Sequence, residues 1–185
     1  SVPPSPAGSA VPNMLGDVLA MLRSEGADAA AAALGPAVLV GKLPGEDSAW
    51  AFRTLRLNPM ALMVEPPPRL VREGLMLDML VWPLRKKGDS RTFRDQVLVG
   101  RANANDVILP HPSVSKLHAR VRFADGKVFV EDADSANGVL VNGQPAGAGG
   151  LPLTDRSTLV LGSVSLRFLS TPALLDLLSS AAPRT

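Results

Sequence analysis

Hydrophobic positions recur at two different periods along this chain. Near the start, Leu15, Val18, Leu19 and Leu22 stand at helical spacing, with Asn13 placed to cap and Gly26 to terminate. Asp28 is placed to cap a second, alanine-rich turn that runs through Leu34 and stops at Gly35-Pro36. An apolar run, AVLVG, follows. The next segment, residues 48–64 (SAWAFRTLRLNPMALMV), reads as strand or as helix, because its periodicity settles neither. Pro66, Pro67 and Pro68 make a stiff break, and a boundary is expected there.

After about residue 75 the period shortens to two. LMLDMLVWPL reads as one strand, QVLVG as the next and DVILP as a third. HARVRFA alternates, with Ala119, Val121 and Phe123 on one face. Asp125-Gly126 then marks a hairpin, and KVFVED returns with Val128 and Val130 inward. Asn137-Gly138 and Asn142-Gly143 bracket the short strand VLV. STLVLG and VSLRFL are joined by Gly162-Ser163, with Leu166 and Phe168 alternating. Many short strands separated by Gly/Asn turns predict a β-sandwich or barrel. Pro172 opens a short amphipathic helix, ALLDLLSS, expected to pack on the sandwich or on the N-terminal part.

Composition narrows the possibilities. The chain has 185 residues, 46% of them apolar and 19% charged, enough for a packed core. Cysteine is absent, which excludes a disulfide framework, a thiolate metal site and a cysteine nucleophile. His111 and His118 are the only histidines, too few for a His-rich metal site, and no metal or cofactor is expected. Residues 29–41 are apolar and uncharged but too short for a membrane span, which needs roughly 20 residues. Asp17, Arg23, Glu25 and Asp28 interrupt the region where a signal peptide would be apolar. A soluble, cytoplasmic protein with no membrane insertion is therefore expected. Net charge is +2, so no global field selects nucleic acid. Residues 76–170 nevertheless hold 12 Lys/Arg against 9 Asp/Glu, a mild surplus that suits an anionic ligand. Within it, Arg85-Lys86-Lys87 with Arg91 and Arg94 reads as a solvated loop, since no interleaved aromatics supply base stacking.

Three loop clusters carry the candidate chemistry: Gly100-Arg101 at a strand end, Ser113 to His118 before the next long strand, and Ser135-Ala136-Asn137-Gly138. A guanidinium, hydroxyls, an ammonium and an amide form no nucleophile–base–orienter set, so no enzyme is expected. They are the donors that a phosphate needs.

In this order and spacing, Gly100-Arg101, Ser115 with His118, and Asn137-Gly138 closely resemble the motifs of a forkhead-associated (FHA) domain. The likeness covers roughly residues 76–170. It implies a mainly β fold: an eleven-stranded FHA-type β-sandwich, preceded by a small α-rich or mixed region and followed by a short helix. The expected division is a flexible lead-in at 1–12, an N-terminal helical or mixed region at 13–68, an FHA domain at 69–170, and a short helix with tail at 171–185. By the same resemblance, Arg101 and Ser115 contact a phosphothreonine phosphate, with Lys116 and Ser113 beside them. Asn137 would bond the peptide backbone. Gly100, His118 and Gly138 shape the loops. The implied function is a phosphothreonine-peptide-binding adaptor in Ser/Thr kinase signalling or secretion-system regulation. Its partner would be a phosphothreonine-containing protein, a kinase or a kinase substrate. The alternative is a phosphorylation-independent scaffold on the same fold. Richness in Ala, Gly, Pro, Leu and Arg looks bacterial. Two positions depart from the family: Ala136 stands where Ser or Thr is common, and His111 precedes Pro112 where many relatives have Asp.

Overall fold

Alternating apolar positions bury one face of a strand, and two such faces close on each other. The computed structural model, which describes residues 14–45, 65–87 and 95–179, shows this in two sheets. The helices are α1 (Leu15–Glu25), α2 (Ala27–Leu34), α3 (Pro68–Arg72) and α4 (Thr171–Ser179). The strands are β1 (Ala37–Gly41), β2 (Leu80–Pro83), β3 (Gln96–Gly100), β4 (Val107–Ile108), β5 (Ala119–Ala124), β6 (Lys127–Asp132), β7 (Val139–Val141), β8 (Gln144–Pro145), β9 (Leu151–Leu153), β10 (Thr158–Leu161) and β11 (Val164–Ser170). A six-stranded sheet runs β2-β1-β11-β10-β7-β8, and a five-stranded sheet runs β4-β3-β5-β6-β9. Pairing is antiparallel except between β3 and β4.

Register lines up the apolar positions. Val97, Val121, Val130 and Leu151 pair in a row across the five-stranded sheet. Trp82, Leu39 and Phe168 form a row across the facing sheet. These rows meet in the main core. Asp125-Gly126, at φ 51° and 73°, forms the β5–β6 turn; both residues occupy the left-handed region that a two-residue hairpin of this hand requires.

Every residue of β1 is buried, so both of its faces are covered. Ala37 and Leu39 enter the sandwich core, while Val38 and Val40 face a second apolar layer made by the helices. That layer covers the outer side of the six-stranded sheet at β2, β1 and β11, and includes Leu15, Val18 and Leu19 of α1 and Leu174 and Leu178 of α4. Full burial of one such leucine contributes about 1.5–3 kcal/mol. Polar contacts fix the ends of the layer. Thr171 donates through its hydroxyl to the Gly35 carbonyl at 2.6 Å, and Arg69 of α3 pairs with Asp176 of α4 at 3.2 Å.

Several expectations change. The boundary placed at 68/69 does not separate two sheets, because β1 lies before it and sits between β2 and β11. Of LMLDMLVWPL only residues 80–83 form a strand. Leu75 and Leu77 instead turn into the helical layer, and Asp78 pairs with Lys42 at 2.8 Å. DVILP contracts to Val107–Ile108. Asp28 lies in the first turn of α2 rather than at its cap, which is Gly26. At α1, the Met14 N–H donates to the Asp17 carboxylate at 3.2 Å. The lead-in at 1–12, Asn13, the ambiguous segment 48–64, and Arg91 and Arg94 lie outside the described residues.

Candidate functional site

β3 ends, β5 begins, β6 ends and β11 begins at one pole of the sandwich, so their loops meet there. Gly100 is required at this pole because the 113–117 loop crosses directly over it. A Cβ at position 100 would overlap the Lys116 carbonyl and stand 2.8 Å from Asn105 Nδ2. The crossing is fixed by backbone bonds: the Arg101 N–H donates to Ser115 O at 2.9 Å, and the Ala102 N–H to Lys116 O at 3.1 Å.

Arg101 is exposed, and its Nε donates to Val114 O at 3.0 Å. That bond orients the planar guanidinium and leaves its two terminal nitrogens without a protein partner among the described residues. Ser115 Oγ accepts the Ala136 N–H at 3.0 Å, which frees its own hydrogen to donate outward. Asn137 is exposed and donates through Nδ2 to Ser113 O at 2.9 Å, so its amide oxygen is the free end. Lys116 is exposed beside them.

His118 is fully buried and ties two of these loops together. Its Nδ1 accepts the Ser115 N–H at 2.9 Å. The proton therefore sits on Nε2, which donates to Gly138 O at 2.9 Å. Gly138 has φ 80°, and its N–H donates to Ser135 Oγ at 2.9 Å. The neighbouring serine, Ser113, is occupied within the protein. Its Oγ is 2.8 Å from His111 Nδ1 and accepts the Ser163 N–H at 3.0 Å. The Ser113 N–H also donates to His111 Nδ1, at 3.2 Å. The structure thus gives Ser113 a loop-tying position, with Arg101, Ser115, Lys116 and Asn137 presented outward. The Ser–His contact was not foreseen from the sequence. Among the described residues no carboxylate orients the imidazole, so the pair lacks the third member that activates a nucleophile.

Three supporting residues escaped the sequence reading. Asn105 is 4% exposed and donates to Ala102 O at 2.8 Å and to Lys116 O at 2.6 Å. Nothing in ANAND separates it from its exposed neighbour Asn103. Ser163 closes the β10–β11 turn onto Ser113. The third is Asp106, whose carboxylate receives Lys86 Nζ at 2.7 Å and the N–H groups of Leu98 at 2.8 Å and Lys87 at 2.9 Å. Burial opposes the charge on Asp106. The Leu98 N–H, the Lys86 ammonium and the Lys87 N–H outweigh it and hold the carboxyl below the usual carboxylate range. Arg85-Lys86-Lys87 is therefore more than a solvated loop, since Lys86 is an anchor. No helix among the described residues is long and apolar enough to cross a membrane.

No curated protein matches the chain. Similar solved structures include FHA-1 of Rv1747 from Mycobacterium tuberculosis, 30% identical over 46% of this chain and 91% of that chain, with a TM-score of 0.37. The FHA domain of CT664 from Chlamydia trachomatis is 28% identical over 40% of this chain and 75% of that one, at 0.38. The N-terminal FHA domain of Rad53p from S. cerevisiae, in complex with a phosphothreonine peptide, is 22% identical over 49% and 83%, at 0.40. Residues 97–162 match the family model of the FHA domain, and this segment contains Gly100, Arg101, Ser115, His118, Asn137 and Gly138. Through it, the chain belongs to the FHA-domain family.

Proposed function

We propose that this pole binds a phosphothreonine-containing peptide and that the protein is an interaction module, not an enzyme. One observation carries the reading. The Arg101 guanidinium, held at Nε by Val114 O, presents its free nitrogens on loops that also present the Ser115 hydroxyl and the Asn137 amide oxygen. A phosphothreonine carries about −1.5 to −2 charge on three acceptor oxygens. Each hydrogen bond to it is worth about 1.5–3 kcal/mol net. Arg101 and Ser115, with Lys116 adding charge, then approach the roughly 8 kcal/mol of a micromolar complex. The Asn137 oxygen is the acceptor for a backbone N–H of the ligand, which fixes the peptide beside its phosphate.

Support comes from relatives whose structures concern phosphothreonine-dependent FHA interactions, or hold a phosphothreonine peptide or a partner's intracellular domain. The partner proposed for this chain is a phosphothreonine-bearing protein, a Ser/Thr kinase or its substrate, in kinase signalling or secretion-system regulation in a bacterial cytoplasm. Calorimetric titration tests the reading. A phosphothreonine peptide selected from a library binds the wild type, its unphosphorylated twin does not, and Arg101→Ala loses at least about tenfold in affinity. If no phosphopeptide binds, and capture of a partner is unaffected by Arg101→Ala, the phosphate-independent scaffold replaces it. Ala136, which offers no hydroxyl where the family resemblance leads one to expect it, is the residue that favours this second reading.

A further inference from the structure

The end of the sandwich opposite the Arg101 loops is open. β5, β9 and β11 end there, and β1 and β6 begin there. The inward positions show the change. Val121 and Val130, further along the same strands, are fully buried, whereas Phe123 and Val128, the inward pair nearest this end, are half-buried. Between the sheets lies a cavity of about 760 Å³. Phe123, Val128 and Leu153 wall it on the five-stranded sheet, and Ala37 and Phe168 on the six-stranded one. Cavities of roughly 300–1,000 Å³ accommodate small organic ligands.

The polar groups beside these walls are already engaged. The Thr154 N–H donates to Ser157 Oγ at 3.0 Å, and Thr154 Oγ1 stands 3.2 Å from the same atom. The Ser170 N–H and Oγ donate to the Asp155 carboxylate at 2.6 Å and 3.1 Å. Among the described residues, no buried side-chain polar atom lacks a partner. The interior therefore offers a ligand apolar contact, and a polar group carried inside would lose its hydration without replacement.

The mouth is different. Asp125 of the β5–β6 turn and Asp155, two residues after β9, line the cavity and are exposed. Neither forms a salt bridge among the described residues. Lys127 is also at the mouth, but strand alternation sends its side chain to the outer face, away from Val128, which packs on the core. Arg156, next to Asp155, is paired with Glu73 at 2.9 Å. An apolar interior thus opens on a negative rim.

We propose that this cavity binds a small organic cation. An aromatic or branched apolar body sits among Phe123, Val128 and Phe168, and an ammonium stays at the mouth beside Asp125 and Asp155. A small molecule fits better than an added peptide strand. The adjacent edge strand, β9, carries Pro152, which has no N–H to offer a new neighbour. The site is remote from Arg101 and does not depend on the phosphothreonine reading.

The test titrates the full chain with phenethylamine, phenethyl alcohol and phenylacetate, and follows backbone amide shifts by NMR. Phenethylamine shifts the amides of Phe123, Val128, Leu153 and Phe168, leaves those of Arg101 and Ser115 in place, and binds at about 1 mM or tighter. An exposed ion pair makes it about two- to fivefold tighter than the alcohol, and phenylacetate is the weakest of the three. Asp125→Asn removes the advantage of the amine and leaves the alcohol unchanged; asparagine tolerates the positive φ of this turn. Val128→Trp fills the cavity and abolishes binding of all three, with folding checked by its melting temperature. The proposal is overturned if no ring compound shifts these amides, if phenylacetate binds as tightly as phenethylamine, or if folded Val128→Trp still binds. It is also overturned if the capped tripeptide Lys-Phe-Lys binds at the same amides at least about tenfold more tightly than phenethylamine, because the occupant is then a protein segment.

Discussion

At the loop pole, shape is set by hydrogen bonds between unlike groups; on the outer face of the six-stranded sheet, it is set by methyl and methylene packing. His118 spans two loops through both ring nitrogens, and Asn105 bridges two carbonyls. Each bond has one direction and one length, so Arg101, Ser115 and Asn137 are positioned by geometry. In the helical layer, Leu15, Val38, Leu169 and Leu174 meet without directional bonds. That surface tolerates a change of shape but not a loss of volume. The two regions share β11, which begins beside Ser163 at the pole and ends at α4. A protein built this way is expected to separate stability from recognition. Damage to the layer lowers stability, and damage to the pole disables recognition.

The largest expected effect breaks the layer. Leu174 is fully buried, and Leu174→Ala is expected to destabilise by about 2–5 kcal/mol in urea denaturation. The molecules that remain folded should bind a phosphothreonine peptide with unchanged affinity; a matching loss of affinity would show that the layer shapes the pole. Next comes His118→Ala. It strands the Ser115 N–H and the Gly138 carbonyl in a buried site, at a cost of about 1–3 kcal/mol. Affinity should fall more than stability implies, because Ser115 and the loop around Asn137 both lose their tie. If affinity holds while stability drops, His118 supports the fold alone.

The same contrast decides what could be read from the sequence. At the pole the sequence reading rested on the resemblance of its motifs, and the structure supplies a physical reason for three of those positions. Gly100 has no room for a Cβ, Gly138 needs a positive φ, and a buried imidazole must find partners on both nitrogens. α1, α2 and the hairpin at Asp125-Gly126 were legible from period and turn chemistry. Where the layer docks was not. AVLVG reads as apolar, but that β1 is buried on both faces, between β2 and β11, depends on partners far along the chain. LMLDMLVWPL misled because Leu75 and Leu77 serve the helical layer while only residues 80–83 serve the sheet. Asp106 and Asn105 were hidden because their roles exist only once the 85–87 and 113–117 segments have been folded against them.

Asp106 gives a smaller effect, confined to acid. Burial works against its charge, and the Leu98, Lys86 and Lys87 donors more than offset this, so its folded pKa lies below the ordinary value of 3.8. A carboxyl lowered on folding contributes stability above its unfolded pKa and loses that contribution as pH falls through the folded one. Melting temperatures of wild type and Asp106→Asn should therefore differ at neutral pH and converge below about pH 4. A gap that stays constant to pH 3 would mean that the carboxylate's shape matters there, not its charge.

The smallest change in stability is expected at Ala136, which is exposed and contributes an N–H to Ser115 Oγ. Ala136→Ser keeps that bond and stays within about 0.5 kcal/mol of the wild type in stability. Its new hydroxyl stands between Ser115 and Asn137, where one more bond to a charged acceptor is worth about 1.5 kcal/mol, or about tenfold in affinity. The gain should appear for the phosphorylated peptide and not for its unphosphorylated twin, and it should vanish in combination with Arg101→Ala. Such non-additivity is expected if both side chains reach the same phosphate. A gain that adds independently of Arg101 would place the new hydroxyl on the peptide backbone instead, and would move the phosphate away from the loop that His118 holds.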